Sequence, residues 1–155
     1  MIKILFVCHG NICRSPMAEF VMKDLIKNVG LEGMIEVASA ATSTEEIGNP
    51  VHYGTRNKLR EFGIDTTGKR AIQIRKEDYA KYDYLVGMDS RNIVNMKRVF
   101  GEDKSNKIVR LLDLTELKRD IADPWYTGNF DETYEDVYLG CKKLLEIILD
   151  RLGKY

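Results

Sequence analysis

The chain has 155 residues, of which 44% are hydrophobic and 31% charged, a composition typical of a globular protein with an apolar core. Lysine plus arginine and aspartate plus glutamate number 24 each, so no net charge recruits nucleic acid or an acidic membrane, although a local basic patch is not excluded. Three cysteines and two distant histidines match neither a disulfide framework nor a zinc site. We therefore expect one domain over residues 1–155, in the cytoplasm, with no metal, no cofactor and no nucleic-acid or membrane partner.

Strand and helix patterns alternate along the chain. Apolar runs predict strands at residues 2–7, 34–41, 82–88 and 107–114, with residues 71–74 as either a strand or a loop. Helical periodicity predicts helices at residues 15–30, 50–63, 90–100 (capped by Asp89 or Ser90) and 134–152. This alternation predicts an open α/β sheet with helices on both faces, which binds ligands at the carboxyl ends of its strands.

The turn after the first strand, Cys-His-Gly-Asn-Ile-Cys-Arg-Ser-Pro at residues 8–16, combines groups suited to a phosphate. Unpaired backbone N–H groups at the start of a helix bind anions, and Gly10 and Asn11 permit the tight curl that aims them at one point. The same field favours the thiolate form of Cys8. The guanidinium of Arg14 supplies two parallel donors for phosphate oxygens, and Ser15 can hydrogen-bond the thiolate.

This turn resembles the active-site loop of the low-molecular-weight protein tyrosine phosphatases, Cys-x-Gly-Asn-x-Cys-Arg-Ser-Pro. Residues 39–50 (SAATSTEEIGNP), 76–89 (KEDYAKYDYLVGMD) and 123–128 (DPWYTG) resemble the same family, in order and over nearly the whole chain. The resemblance implies a four-stranded parallel sheet with helices on both faces and a phosphate-binding loop after the first strand. It also implies a two-step, metal-free phosphatase that acts on a phosphotyrosine-containing protein or a small aryl phosphate.

The resemblance assigns roles to residues of this chain. Cys8 is the expected nucleophile, Arg14 with the loop amides holds the phosphate, and Asp123 of the Asp-Pro pair is the general acid and base. Cys13 is expected to form a reversible disulfide with Cys8, or else to fill core space as a thiol. The expected substrate-binding residues are His9, Gly10, Asn11, Ile12, Cys13, Ser15, Glu45, Trp125 and Tyr126, and Ser39 and Asp89 are expected to give structural support. We expect a monomer, with a weak dimer as the alternative.

The chain departs from the family pattern at three places. His9 stands where many members have leucine, and Glu45 stands where an aromatic residue often lines the slot. We hypothesise that these two residues make the rim polar and favour phosphopeptides with a basic neighbour. Some members buttress Ser39 with a histidine after the second helix, but residues 67–71 (TGKRA) contain none, so that support is expected to be built differently.

Other activities fit the sequence less well. A thioredoxin-coupled arsenate reductase needs further cysteines near the middle of the chain, and residues 79–91 contain none. Phosphoarginine phosphatases carry a threonine where this chain has Ile12, which favours phosphotyrosine but leaves cross-activity open. A phosphocysteine carrier has no use for Arg14 together with Asp123, and a phosphotyrosine-binding module needs no nucleophile at Cys8.

Overall fold

The computed structural model describes residues 1–153; residues 154 and 155, the end of the predicted domain, lie outside the described residues. Within the described part, a parallel sheet has the strand order β2-β1-β3-β4. The strands are β1 (Ile2–Cys8), β2 (Ile35–Ala41), β3 (Tyr84–Gly87) and β4 (Ile108–Arg110). The helices are α1 (Arg14–Asn28), α2 (Tyr53–Arg60), α3 (Asp78–Lys81), α4 (Ser90–Phe100), α5 (Pro124–Thr127) and α6 (Phe130–Arg151). The predicted fold class is confirmed.

Strand β1 is central and buried on both sides. Because successive side chains of a strand point to opposite faces, Ile4 and Phe6 enter the core formed with α1 and α6. Leu5 and Val7 enter the second core, which lies between the sheet and α4. Burial on both faces explains why this strand is a near-continuous apolar run, interrupted only by Lys3, rather than an alternating one.

Helices α1 and α6 pack against each other on one face of the sheet. Helix α6 also comes close to the turn after β4, because an added Cβ at Gly140 would lie 2.4 Å from Cγ of Leu111. Leu111 and Leu112 are both fully buried. Within residues 1–153, no helix has the length and apolar character required to cross a membrane.

Several element boundaries differ from the sequence predictions. The predicted strand at residues 107–114 is extended only over Ile108–Arg110, because the next four residues form a 3-10 turn that buries two adjacent leucines against α6. The predicted helix at residues 50–63 begins only at Tyr53, since Pro50 pairs with Arg70 and His52 is extended. Residues 71–74 contribute a single bridge, Ala41 to Gln73, beside β2. Short helices α3 and α5 were not predicted.

The carboxyl edge of the sheet brings three distant segments together. Cys8 ends β1, Asp89 follows β3 and caps α4, and Ile121 lies at the end of β3 because its N–H donates to the carbonyl of Met88, at 3.0 Å. The fold therefore places the phosphate-binding turn and the Asp-Pro pair, more than a hundred residues apart, at the same edge.

Candidate active site

The turn between β1 and α1 curls around the sulfur of Cys8. Asn11 adopts the left-handed conformation at φ 58°, and its backbone N–H points at Sγ of Cys8 from 3.3 Å. The hydroxyl of Ser15 lies 3.0 Å from the same sulfur. Asparagine tolerates this backbone conformation better than most residues, which explains its place in the turn.

A chain of buried hydrogen bonds fixes the direction of the donors around Cys8. Ser39 donates its hydroxyl hydrogen to Oε1 of Glu19, at 2.6 Å, so its oxygen accepts from Nδ2 of Asn11, at 2.9 Å. The second hydrogen of this amide goes to Oγ of Ser15, at 2.8 Å. The Ser15 hydroxyl hydrogen is thereby left to point at Cys8, so the sulfur in its thiolate form receives donors from a hydroxyl and a backbone amide.

The carbonyl of Asn11 also has a partner, which fixes the orientation of its amide. Oδ1 accepts from the backbone N–H of Ile72, at 3.2 Å. Asn11 is almost fully buried and does not line the cavity described below. Its side chain therefore holds the loop together from behind, which is a different place from the substrate-contact position predicted for it.

Lys69 contacts the segment around Ser39, which some members of the family support with a histidine that this chain lacks. Its ammonium donates to the backbone carbonyl of Ser39, at 2.8 Å, and lies 3.8 Å from Glu19. Burial lowers the pKa of Lys69 below its ordinary value, and the nearby Glu19 carboxylate acts in the opposite direction. Glu19 also pairs with Lys23, at 2.6 Å, so its buried charge is compensated from two sides.

Arg14 is buried at the first turn of α1 and held in one orientation. Its Nη1 donates to Asp89 and to the backbone carbonyl of Ile121, both at 2.8 Å. Its Nη2 lies 3.5 Å from the carboxylate of Asp123. Burial alone lowers the pKa of this guanidinium, but the negative charges of Cys8, Asp89 and Asp123 outweigh burial and raise it above its ordinary value. Arg14 is therefore a fixed cation beside the nucleophile candidate.

Asp123 stands at the start of the short helix α5. One carboxylate oxygen caps this helix by accepting from the N–H of Trp125, at 3.0 Å, and Pro124 occupies the first helical position. The other oxygen faces Arg14. The carboxylate is thus oriented by the helix cap, remains about a quarter exposed, and lies at the mouth of the turn.

A cavity of about 270 Å³ opens over the turn and is lined by Cys8, His9, Gly10, Ile12, Cys13, Glu45, Glu46, Asp123, Trp125 and Tyr126. The two aromatic side chains form an exposed wall, 55% exposed at Trp125 and 83% at Tyr126. His52 lies edge-on to Trp125 with ring centroids 5.6 Å apart, and stacks on Phe130 at 5.4 Å. The wall therefore has aromatic backing on one side and open solvent on the other.

The rim of this cavity opposite the aromatic wall is acidic. His9 and Glu45 contact each other through Nε2 and Oε2, at 2.5 Å. Glu46 lies next to Gly10, where an added Cβ would come within 3.4 Å of its Cγ, and it accepts from Asn49. Two carboxylates and at most one imidazolium leave this rim with a net negative charge.

The cysteines differ in their surroundings, and all three are reduced in the described residues. Burial and the neighbouring charges of Cys8 and Asp123 raise the pKa of Cys13 to about 12, so it is a thiol at neutral pH. Burial also raises the pKa of Cys141, which contacts the carbonyl of Ala18 in the core. Cys13 and Cys8 line the same cavity, and the predicted disulfide between them stays a prediction.

Four residues of the site were missed by the sequence analysis: Glu19, Glu46, His52 and Lys69. Glu19 and Lys69 carry charges that sequence patterns assign to the surface, and only the tertiary structure shows that Glu19 is buried and that the mostly covered ammonium of Lys69 lies 3.8 Å from it. Glu46 follows the predicted site residue Glu45 directly in the sequence, and this adjacency could have identified it as a further residue of the cavity. Ser39 contacts Asn11 and Asp89 contacts Arg14, and the role of structural support predicted for the two residues stays a prediction.

Comparison with known proteins places the chain among phosphatases. A family model described as low molecular weight phosphotyrosine protein phosphatase matches residues 3–154. The low molecular weight protein-tyrosine-phosphatase YfkJ of Bacillus subtilis is 45% identical over 150 residues, 96% of each chain. Its crystal structure superposes with a TM-score of 0.94, covering 97% of this chain and 96% of that one. The low molecular weight phosphotyrosine protein phosphatase of Gallus gallus is 40% identical over 149 residues, 92% of this chain and 93% of that one.

We predict that Ser39→Ala lowers the free energy of unfolding by about 1–3 kcal/mol, because it leaves a buried amide hydrogen and a buried carboxylate short of one partner each. Urea unfolding measures this change. Ser43→Ala is the matched control, since its partly exposed hydroxyl donates to the carbonyl of His9 and accepts only a long bond, at 3.4 Å, from the N–H of Glu45, and a cost below about 0.5 kcal/mol is expected. Equal costs for the two substitutions would contradict the assigned role of the Ser39 hydroxyl.

Proposed function

The chain belongs to the low molecular weight phosphotyrosine protein phosphatase family, and from this premise we propose that it hydrolyses phosphotyrosine through a phosphocysteine at Cys8. The observation that carries the proposal is that Cys8 and Asp123 line one cavity, while the buried guanidinium of Arg14 lies 3.5 Å from the Asp123 carboxylate. Residues 1–155 are proposed to form a single phosphatase domain, consistent with the family match over residues 3–154.

In the proposed first step, the thiolate of Cys8 attacks phosphorus, an S–P bond forms, and the P–O bond to the tyrosine breaks. Arg14 and the loop N–H groups hold the equatorial oxygens while negative charge moves from sulfur to the leaving oxygen. Asp89 and Ile121 orient the guanidinium before substrate arrives. This prior orientation lowers the reorganisation needed to reach the transition state.

Asp123 is proposed to act in both steps. In the first step its carboxylic acid donates a proton to the leaving phenolate, whose conjugate acid has a pKa of about 10. In the second step the carboxylate takes a proton from water, the resulting hydroxide attacks phosphorus, and the S–P bond breaks to regenerate the thiolate. Helix α5 supports this assignment because its cap holds the carboxylate at the cavity mouth.

The substrate class follows from the cavity walls. Trp125 and Tyr126 offer aromatic surface to a phenyl ring, which favours an aryl phosphate. Ile12 lines the cavity where phosphoarginine phosphatases have threonine, and its apolar side chain offers no hydrogen bond to a guanidinium. Phosphotyrosine is therefore the proposed substrate, and phosphoarginine is the alternative to be tested beside it.

We predict that Cys8→Ser abolishes measurable turnover of para-nitrophenyl phosphate and of a phosphotyrosine peptide, because a serine hydroxyl is not ionised at neutral pH. Asp123→Asn should lower kcat for the phosphotyrosine peptide by about 100-fold or more, the usual contribution of a general acid. Because para-nitrophenolate is a better leaving group, the first step should depend less on Asp123 with that substrate. Steady-state assays in the presence of EDTA compare kcat of the wild type, Cys8→Ser and Asp123→Asn.

Asp131→Asn is a matched control for Asp123→Asn, because Asp131 is exposed and pairs with Lys58 on α2 rather than with the site. Full activity of Cys8→Ser would exclude the proposed nucleophile. Inhibition of the wild type by EDTA would exclude the metal-free mechanism. Faster hydrolysis of phosphoarginine than of the phosphotyrosine peptide would replace the proposed substrate by the alternative.

The acidic rim gives a second prediction, on sequence preference. Because Glu45 and Glu46 adjoin the cavity, we propose that a basic residue beside the phosphotyrosine is favoured over an acidic one. The wild type should prefer an arginine-flanked peptide in kcat/KM, and Glu45→Gln should reduce that preference by about two- to fivefold, the range for one exposed ion pair. Glu102→Gln, an exposed change at the end of α4, is the control. An unchanged ranking in Glu45→Gln would contradict the hypothesis.

A further inference from the structure

A second groove runs beside α2, outside the catalytic cavity. Two adjoining cavities, of about 280 and 230 Å³, share Arg56, Thr66 and Thr67 in their walls. Arg60 borders the first cavity and Arg70 borders the second. We call this feature, formed by the three arginines and the two threonines, the basic groove.

The arginines of the basic groove are not used for ion pairs within the protein. In residues 1–153, no carboxylate lies within 4.0 Å of the guanidinium of Arg56, Arg60 or Arg70. Lys58 of the same helix, by contrast, pairs with Asp131 at 2.8 Å. The three guanidiniums are therefore available to an external anion.

The other charged groups at the groove are already occupied. Asp65 borders it, but its Oδ1 accepts from the N–H and the hydroxyl of Thr67, at 3.0 and 2.6 Å. Lys69 borders it too, but its ammonium turns inward to the carbonyl of Ser39, at 2.8 Å. Arg70 makes one long contact, to the carbonyl of Gly48 at 3.4 Å. The exposed charge of the groove is thus dominated by guanidinium groups.

The local charge balance differs sharply from that of the chain. Residues 51–76 contain seven lysines and arginines and two acidic residues, although the whole chain has 24 of each sign. Arg56 and Arg60 lie four residues apart on α2, a spacing at which like charges destabilise a helix. Arg60 lies in the last turn of α2, where a cation is favoured, but its repulsion from Arg56 is unfavourable, and binding of an anion would relieve that repulsion.

The basic groove lies next to the catalytic cavity, across one loop. This loop carries Glu46 on the cavity side and reaches Pro50 and Val51 in the wall of the groove. Helix α2 is attached to the phosphate-binding turn, because the hydroxyl of Thr55 donates to the carbonyl of Cys13 at 3.0 Å. A polypeptide bound in the cavity could therefore cross the loop and reach the groove.

We propose that the basic groove binds a second phosphorylated residue, a phosphoserine or phosphothreonine, of the same phosphotyrosine-containing substrate. The inference rests on the proposed function. Arginine forks match phosphate oxygens in pairs. Cavities of this size accommodate one phosphoryl group, and the zero net charge of the chain provides no extended field for a nucleic-acid strand.

The test uses phosphotyrosine peptides that differ only in whether one serine is phosphorylated. The serine is moved along the series from roughly three to eight residues away on either side, because an extended chain covers about 3.3 Å per residue. For the best spacing, the wild type should show about tenfold higher kcat/KM with the doubly phosphorylated peptide, a typical effect of one charge-assisted contact. That ratio should fall to near unity in Arg56→Gln/Arg60→Gln and shrink as salt is added.

The matched control is Lys97→Gln/Arg98→Gln, which removes two exposed positive charges from the last turn of α4 and should keep the wild-type ratio. An equal ratio in the wild type at every spacing, or an undiminished ratio in Arg56→Gln/Arg60→Gln, would overturn the proposal. Each ratio compares kcat/KM for the doubly and the singly phosphorylated peptide in the same protein. A variant that loses activity toward both peptides equally therefore keeps its ratio.

A binding measurement separates this inference from the proposed function. Arginine Nε–Hε signals are followed by NMR during titration with a peptide that carries phosphoserine but unphosphorylated tyrosine. Shifts at Arg56 and Arg60 support the groove even if no peptide is hydrolysed, an outcome that would refute only the proposed function. The absence of shifts, or tighter binding of single-stranded DNA at these arginines, would refute the proposed occupant.

Discussion

The site depends on the side-chain amide of Asn11, which is held on both its oxygen and its nitrogen. Its oxygen accepts from Ile72 and its nitrogen donates to Ser15 and Ser39, so the amide has one orientation. Ser39 passes its own hydrogen to the buried Glu19, and this acceptor sets the donor direction of the whole chain toward Cys8. The left-handed backbone of the same residue aims an N–H at the sulfur. One residue thus links the shape of the loop to the stabilisation of the nucleophile.

The sequence predicted the fold class well because periodicity reports burial directly. The near-continuous apolar run of β1 predicts a buried strand, and the apolar stripe of α6 predicts a helix. Both elements are present in the structure. The prediction of a strand over residues 107–114 was wrong at its end, because a strand and a 3-10 turn can bury the same leucines equally well. Leu111 and Leu112 are buried by a 3-10 turn instead of a longer β4, and only the approach of α6 at Gly140 decides between them.

The site was predictable in its centre and less so in its surroundings. Cys8 and Arg14 belong to one contiguous motif, so their proximity could be predicted from the sequence. The structure adds the side chains that contact them, Ser15 at Cys8 and Asp89 at Arg14. Glu19 and Lys69 could not have been found, because a glutamate and a lysine far apart in sequence look like solvated charges until the fold buries the first and brings the second to 3.8 Å from it. The support expected in place of a histidine comes from Lys69, within the very segment where the histidine is missing.

Charge is distributed around the cavity in a way that the net value of zero conceals. A buried cation, Arg14, lies beside Asp123 of the cavity, the carboxylates of Glu45 and Glu46 line the cavity, and the arginines of the basic groove lie across the adjoining loop. The two proposals place phosphate at two separated cationic points. The proposed substrate follows this pattern, with a basic residue next to the phosphotyrosine and a second phosphate farther along the chain.

The most direct test of the central proposal is to identify the covalent intermediate. Asp123→Asn is mixed with para-nitrophenyl phosphate, whose first step depends little on the acid, quenched within milliseconds under conditions that preserve thiophosphates, digested, and mapped by mass spectrometry. The account predicts one phosphate, carried by Cys8, together with a burst of para-nitrophenolate equal to the enzyme present. A phosphate on any other residue, or turnover with no phosphoenzyme and no burst, would contradict it.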